Sequence, residues 1–125
     1  ENCVVGYGTE IRHSYIGDNC WFHSCYVGDS IIADNCSFGA GTVMANLRFD
    51  EQNIRIKVGE ESIDTGLNKL GAIIGSNSKT GVNASIMPGI RVGPNSIVGS
   101  HLCLTRDLGP DKMAFAKSNY LTMDR

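Results

Sequence analysis

The sequence predicts an all-β fold, a parallel β-helix wound as a narrow prism, and three observations carry that expectation. Residues 74–104 repeat in sixes: Ile74-Gly75-Ser76-Asn77-Ser78-Lys79, Thr80-Gly81-Val82-Asn83-Ala84-Ser85, Ile86-Met87-Pro88-Gly89-Ile90-Arg91, Val92-Gly93-Pro94-Asn95-Ser96-Ile97, Val98-Gly99-Ser100-His101-Leu102-Cys103, then Leu104. The first position is aliphatic except at Thr80, Gly follows it in four of the five complete units, and the fifth position is mostly small (Ser78, Ala84, Ser96). A period of six fits neither an amphipathic helix nor a hairpin sheet. It fits one short strand and one turn per unit, with the aliphatic residue pointing inward and the chain coiling on itself. The same unit recurs less regularly before residue 46, and the chain holds 15 Gly against 3 Pro, a turn-dense composition without a disordered linker.

Taken in order, the first section (1–46) places anchors at Val5, Ile11, Ile16, Phe22, Val27, Ile32, Phe38 and Met44, spaced 6, 5, 6, 5, 5, 6 and 6. The five-residue steps imply tighter corners, which Gly or Asp can turn. With coils 71–106 added, about fourteen units make four to five coils, a small core with exposed strand edges that calls for a partner subunit. Residues 47–70 break the period as an insertion loop. Within them Ile54-Arg55-Ile56-Lys57-Val58 alternates as a half-buried strand does, and the flanks 47–53 and 60–68 are polar. A segment this long in a compact repeat is functional when ordered. After Thr105 the repeat is expected to stop. Residues 107–125 then form a C-terminal tail, with a turn at Asp107–Asp111 and a short helix from Pro110 to Lys117.

Eleven basic and thirteen acidic residues give a net charge of −2, which offers no electrostatic case for nucleic acid or an anionic membrane. No apolar run reaches the roughly 20 residues that span a bilayer. The opening Glu1-Asn2-Cys3-Val4-Val5-Gly6 falls in mid-pattern, as expected of the excised C-terminal domain of a longer, two-domain protein. Five cysteines (Cys3, Cys20, Cys25, Cys36, Cys103) include no Cys-x-x-Cys pair. Cys20 and Cys36 take the fifth, inward-leaning position, so small apolar filling by reduced thiols in a cytoplasmic protein is the expected use.

The residues able to do chemistry cluster in His23-Ser24-Cys25-Tyr26, in Phe38-Gly39-Ala40-Gly41-Thr42-Val43-Met44-Ala45-Asn46, and in Asn68-Lys69-Leu70-Gly71-Ala72-Ile73-Ile74-Gly75. This set resembles the hexapeptide-repeat acyltransferases, and within them the acetyltransferase domain of the bifunctional GlmU-type sugar-1-phosphate nucleotidylyltransferase/acetyltransferases, archaeal members most closely. The resemblance implies a left-handed β-helix of triangular section, a homotrimer, acetyl-CoA as co-substrate with no metal in acetyl transfer, and an amino-sugar 1-phosphate (glucosamine or galactosamine) as acceptor. It also implies an upstream nucleotidylyltransferase domain and a place in nucleotide-sugar synthesis. Carried over by position, His23 is the general base, Tyr26 and Asn46 hold the amino-sugar phosphate, and Lys69 pairs with its phosphate. Lys117 and Ser100 lie on the coenzyme side.

That chemistry is coherent in its own terms. An amine attacks a thioester only when neutral, and imidazole accepts protons near neutral pH. A phosphate calls for Lys or Arg with hydroxyl donors. The insertion departs from the bacterial pattern: Arg48, Arg55 and Lys57 are either extra phosphate contacts or a solvated basic face. His13 and His101 are expected only to hydrogen-bond. Two other functions compete. One is a non-catalytic oligomerisation or regulatory β-helix, which would not need the His23/Tyr26/Asn46/Lys69 set. The other is a zinc-dependent carbonic anhydrase of the same architecture, disfavoured because His13, His23 and His101 are separated by 10 and 78 residues.

Overall fold

A computed structural model describes all 125 residues. Coil one is β1 (Val4–Val5), β2 (Glu10–Arg12) and β3 (Tyr15–Ile16), and coil two is β4 (Trp21–Phe22), β5 (Tyr26–Gly28) and β6 (Ile31–Ile32). Coil three begins with β7 (Ser37–Phe38) and β8 (Val43–Met44). It leaves for the insertion, β9 (Arg55–Val58) and β10 (Glu61–Asp64), and closes with β11 (Ile73–Ile74). Coil four is β12 (Lys79–Thr80), β13 (Ser85–Ile86) and β14 (Arg91–Val92). Then come β15 (Ile97–Val98), β16 (Cys103–Leu104) and β17 (Met113–Ala114).

Equivalent strands stack in parallel into three flat faces. The first is β1-β4-β7-β12-β15-β17, the second β2-β5-β8-β13-β16 and the third β3-β6-β11-β14, which Leu108 extends by bridging to Val92. The result is a left-handed triangular β-helix.

Register makes every hexad anchor meet its equivalent on the next coil. Phe22 pairs with Phe38 and Thr80 with Val98 on the first face, while Val27, Met44, Ile86 and Leu104 align on the second. Apart from Thr80, these residues form one buried cluster with Ile32, Ile74 and Val92. The Phe22 and Phe38 rings stack at 5.0 Å inside the prism. Thr80, the one polar anchor, also points inward, where its hydroxyl lies 2.7 Å from that of the fully buried Thr42. Paired hydroxyls carry little of the penalty that either would carry alone.

The corner between the third and first faces turns through a left-handed residue in each coil: Asn19, Asn35, Asn77, Asn95 and Asp111 (φ 57–62°). Asn is among the few side chains that accept that conformation. Its amide also reaches the next coil, from Asn19 to Asn35 (3.2 Å), Asn77 to Asn95 (3.0 Å) and Asn95 to Asp111 (3.1 Å). All five cysteines carry free thiols. Burial pushes up the thiol pKa of Cys20, Cys25 and Cys36, the last to about 11.

The structure corrects the expected C-terminal boundary. The repeat does not stop at Thr105. Leu108 completes a fifth coil, and β17 opens a sixth by pairing with β15. The helix expected over Pro110–Lys117 is absent, because Asp111 takes the left-handed corner and its N–H donates to the Pro94 carbonyl at 3.0 Å. A waiting ladder outcompetes a helix of about two turns, which is marginal alone. Residues 115–125 form no regular structure. The insertion also holds more order than its alternating stretch announced. The polar segment after Val58 supplies β10, antiparallel to β9 around Gly59 (φ 63°) and Glu60.

Candidate active site

The second face and its two edges carry most of the candidate residues. His23 follows β4 and sits, exposed, at the edge between first and second faces, its ring 6.5 Å from that of Trp21. Its side chain makes no hydrogen bond or ion pair with another side chain of the chain. Tyr26 opens β5 one short corner later and points outward, half-buried. Asn46 follows β8 at the opposite edge, one coil on. There the Asn46 amide donates to the Tyr26 hydroxyl at 3.3 Å and to Asp29 Oδ2 at 2.6 Å.

Gly28 is the floor beneath this contact. A Cβ placed on it would come within 2.5 Å of the Asn46 amide nitrogen and 2.8 Å of the Tyr26 ring. Asp29, whose side chain is 15% exposed, turns the corner at φ 47° and faces His13 Nδ1 at 3.6 Å. His13, Asp29 and Asn46 therefore stack on successive coils. Asp29 and Gly28 are the residues that sequence reasoning missed. The signal was present in the register: the positions after β2, β5 and β8 share one corner, so polar residues there must meet.

Lys69 lies at the neck of the insertion, where Leu47 and Lys69 form an antiparallel bridge and the Leu70 N–H donates to the Asn46 carbonyl at 3.0 Å. It is exposed and takes part in no ion pair. The insertion's arginines are different. Arg48 forms a two-pronged pair with Asp50 (2.8 and 2.6 Å), which raises its own pKa. The same pair, helped by the Gln52 N–H, holds the Asp50 carboxyl down at about 2. Arg55 donates to the Ser62 hydroxyl and carbonyl and faces Asp64 at 3.8 Å. The Lys57 carbonyl accepts from Arg91, which is itself bound to Asp107.

Arg48 and Arg55 thus line a polar cleft of ≈ 350 Å³ on the insertion with their charges already matched. None of the four clefts on the chain is lined by His23, Tyr26, Asn46, Lys69, Ser100 or Lys117. Ser100 is exposed on the same edge as His23, three coils on, at a distance on the order of 14 Å at the ~4.8 Å strand spacing. Lys117 is exposed just beyond β17. The structure joins Tyr26 to Asn46 and sets the Lys69 backbone beside them, leaves His23 on the opposite edge of the second face, and sets Ser100 and Lys117 toward the far end.

Residues 71–106 match the family described as bacterial transferase hexapeptide (six repeats). The whole chain aligns with the bifunctional protein GlmU of Methanococcus vannielii at 38% identity over 126 residues, covering 100% of this chain and 30% of that protein. The chain carries the hexapeptide repeat of that family over residues 71–106 and is similar along its length to GlmU-type bifunctional proteins. A bifunctional sugar-1-phosphate nucleotidylyltransferase/acetyltransferase from Sulfurisphaera tokodaii is 41% identical over 110 residues, 87% of this chain and 27% of that one. Among solved structures, a mutant of GDP-perosamine N-acetyltransferase from Caulobacter crescentus, in complex with CoA and GDP-perosamine, superposes with a TM-score of 0.70. Its identity is 24%, over 91% of this chain and 44% of that chain, a likeness of fold. The chain spans about 30% of the length of these GlmU relatives.

Proposed function

We propose that this hexapeptide-repeat domain transfers the acetyl group of acetyl-CoA to the amine of an amino-sugar 1-phosphate, glucosamine 1-phosphate or galactosamine 1-phosphate. The observation that carries the reading is the Tyr26–Asn46 contact beside an unpaired Lys69, one short corner from His23. A hydroxyl, an amide and a free ammonium are what a phosphorylated sugar needs. A nearby imidazole is what its amine needs.

In this mechanism the ammonium group of the bound sugar gives one proton to solvent, and His23 takes a second from the nitrogen as the amine attacks. The neutral nitrogen attacks the acetyl carbonyl carbon, the C–N bond forms, and the tetrahedral oxyanion is held by backbone N–H groups of a neighbouring coil. Collapse breaks the C–S bond, and the departing CoA thiolate takes a proton from the His23 imidazolium. Tyr26, Asn46 and Lys69 fix the sugar, while the coenzyme arm runs along the edge toward Ser100, with Lys117 near its phosphates. Arg48 and Arg55 act within the insertion as partners of Asp50, Ser62 and Asp64, and reach a phosphate only by exchanging those bonds.

A prism this thin cannot enclose a sugar phosphate and a coenzyme arm by itself. The pocket forms between neighbouring prisms of a homotrimer, where His23 works beside a second chain, in a cytoplasmic enzyme whose longer form also carries a nucleotidylyltransferase. Closed cyclic assembly is the usual state of soluble homo-oligomers. Thiol release from acetyl-CoA, followed with each sugar phosphate in turn, tests the reaction. Release that depends on the sugar phosphate is expected, and no release with either sugar would leave the non-catalytic oligomerisation domain standing. Light scattering at assay concentration tests the assembly, and a fully active monomer would rule out the shared pocket.

A further inference from the structure

We infer that Asp29 is a positioning residue that locks the Asn46 side chain with its carbonyl oxygen toward the ligand, so that this site accepts a hydrogen bond from the acceptor sugar; the inference rests on the acetyltransferase reading above. Ionised carboxylates only accept hydrogen bonds, so the atom of Asn46 lying 2.6 Å from Asp29 Oδ2 is its amide nitrogen. That nitrogen also donates to the Tyr26 hydroxyl at 3.3 Å, which uses both of its protons. The Asn46 Oδ1 has no partner within the chain, and no polar side-chain atom of the chain is buried without one, so Oδ1 is open to solvent.

Tyr26 receives a hydrogen bond at its oxygen and keeps its own O–H to give. The pair therefore presents one acceptor and one donor in fixed order. Asn46 takes an N–H or O–H from the sugar, and Tyr26 gives its proton to a sugar or phosphate oxygen. Three features hold the order. Asp29 is mostly buried, its other oxygen faces His13 at 3.6 Å, and Gly28 leaves no room for the amide to swing inward. A donor-bearing group is what distinguishes an amine or vicinal hydroxyl from an ester or a phosphate. Asp29 is thereby a determinant of which sugars bind, without touching them.

An exchange of the two residues tests this. In Asp29→Asn the new amide can donate to Asn46, whose own amide then turns over and offers N–H to the ligand. The expected result is a fall of roughly 10-fold or more in kcat/KM for the amino-sugar phosphate with the KM for acetyl-CoA unchanged. In Asn46→Asp two carboxylates face each other, and the loss should be at least as large. The double variant D29N/N46D restores a donor facing an outward-pointing acceptor and should recover most of the loss in both kcat/KM and melting temperature. Wild-type kinetics in D29N would overturn the inference, as would a double variant no better than the weaker single one. In the wild-type protein the Asn46 side-chain protons should exchange slowly with solvent. Free exchange would overturn the lock even if every variant failed to fold. An unchanged protein that releases no thiol sinks the acetyltransferase reading itself, and the amide exchange and the melting cycle still read the lock.

Discussion

The prism and the insertion are built on different principles, and the contrast shows where this chain keeps its chemistry. In the prism each anchor between the end coils is backed by an equivalent above and below, so one cluster runs from Cys20 to Leu104. In the insertion a single residue, Ile54, is fully buried. Its side chain packs over Gly89, where a Cβ would come within 2.6 Å of it, and the rest is a two-stranded hairpin and its flanks, with Arg48 paired to Asp50 and Arg55 to Asp64. Two-stranded hairpins are marginal alone in water. The insertion is thus a lightly anchored accessory, while Tyr26, Gly28, Asp29 and Asn46 stand on the stacked coils. Rigid elements hold reacting groups in place better than loops do.

The largest effect that would break this contrast is in the prism core. Ile86→Asp puts a charge at a fully buried position between Met44 and Leu104, where the cost is several kcal/mol against a total of order 5–15. Loss of the folded state by circular dichroism is expected, and an unchanged melting curve would contradict the register. Ile54→Ala should act locally, costing about 2–5 kcal/mol of insertion stability. Hydrogen exchange should then quicken in 55–64 while the coil amides keep their protection. Uniform quickening would show that the insertion and the prism fold as one unit.

The smallest effect concerns Arg48 and Asp50. Asp50 has a depressed pKa, so its pairing is fully present above the ordinary carboxylate range and is lost as pH falls through about 2. Carboxyl chemical shifts of Asp50 should titrate there, and in Arg48→Gln the midpoint should move up toward about 4. A midpoint unmoved by Arg48→Gln would show that Arg48 is free, and so available to a phosphate.

The same contrast explains what was legible in the sequence. The period of six announced the coils, their inward residues and the place where they break, because each unit repeats one physical solution. The run after Thr105 was misread because Leu108 and Met113–Ala114 belong to the repeat by position while the intervening Gly109-Pro110 resembles a helix start. β10 was missed because Glu61–Asp64 has a single apolar residue, Ile63, is exposed throughout, and pairs only to β9. At the site, Tyr26, Asn46 and Lys69 were legible as residue types. Asp29 was not, because its importance lies in meeting Asn46 from a different coil, a relation that appears only once the register is known.

The central claim is that His23, on the prism edge, is the base for acetyl transfer. It is tested most directly by comparing His23→Ala with the unchanged protein in sugar-dependent thiol release from acetyl-CoA, at matched oligomeric state. The account predicts a fall of about 10²–10⁴ in rate with acetyl-CoA binding retained. An alanine variant that turns over at the full rate would contradict it.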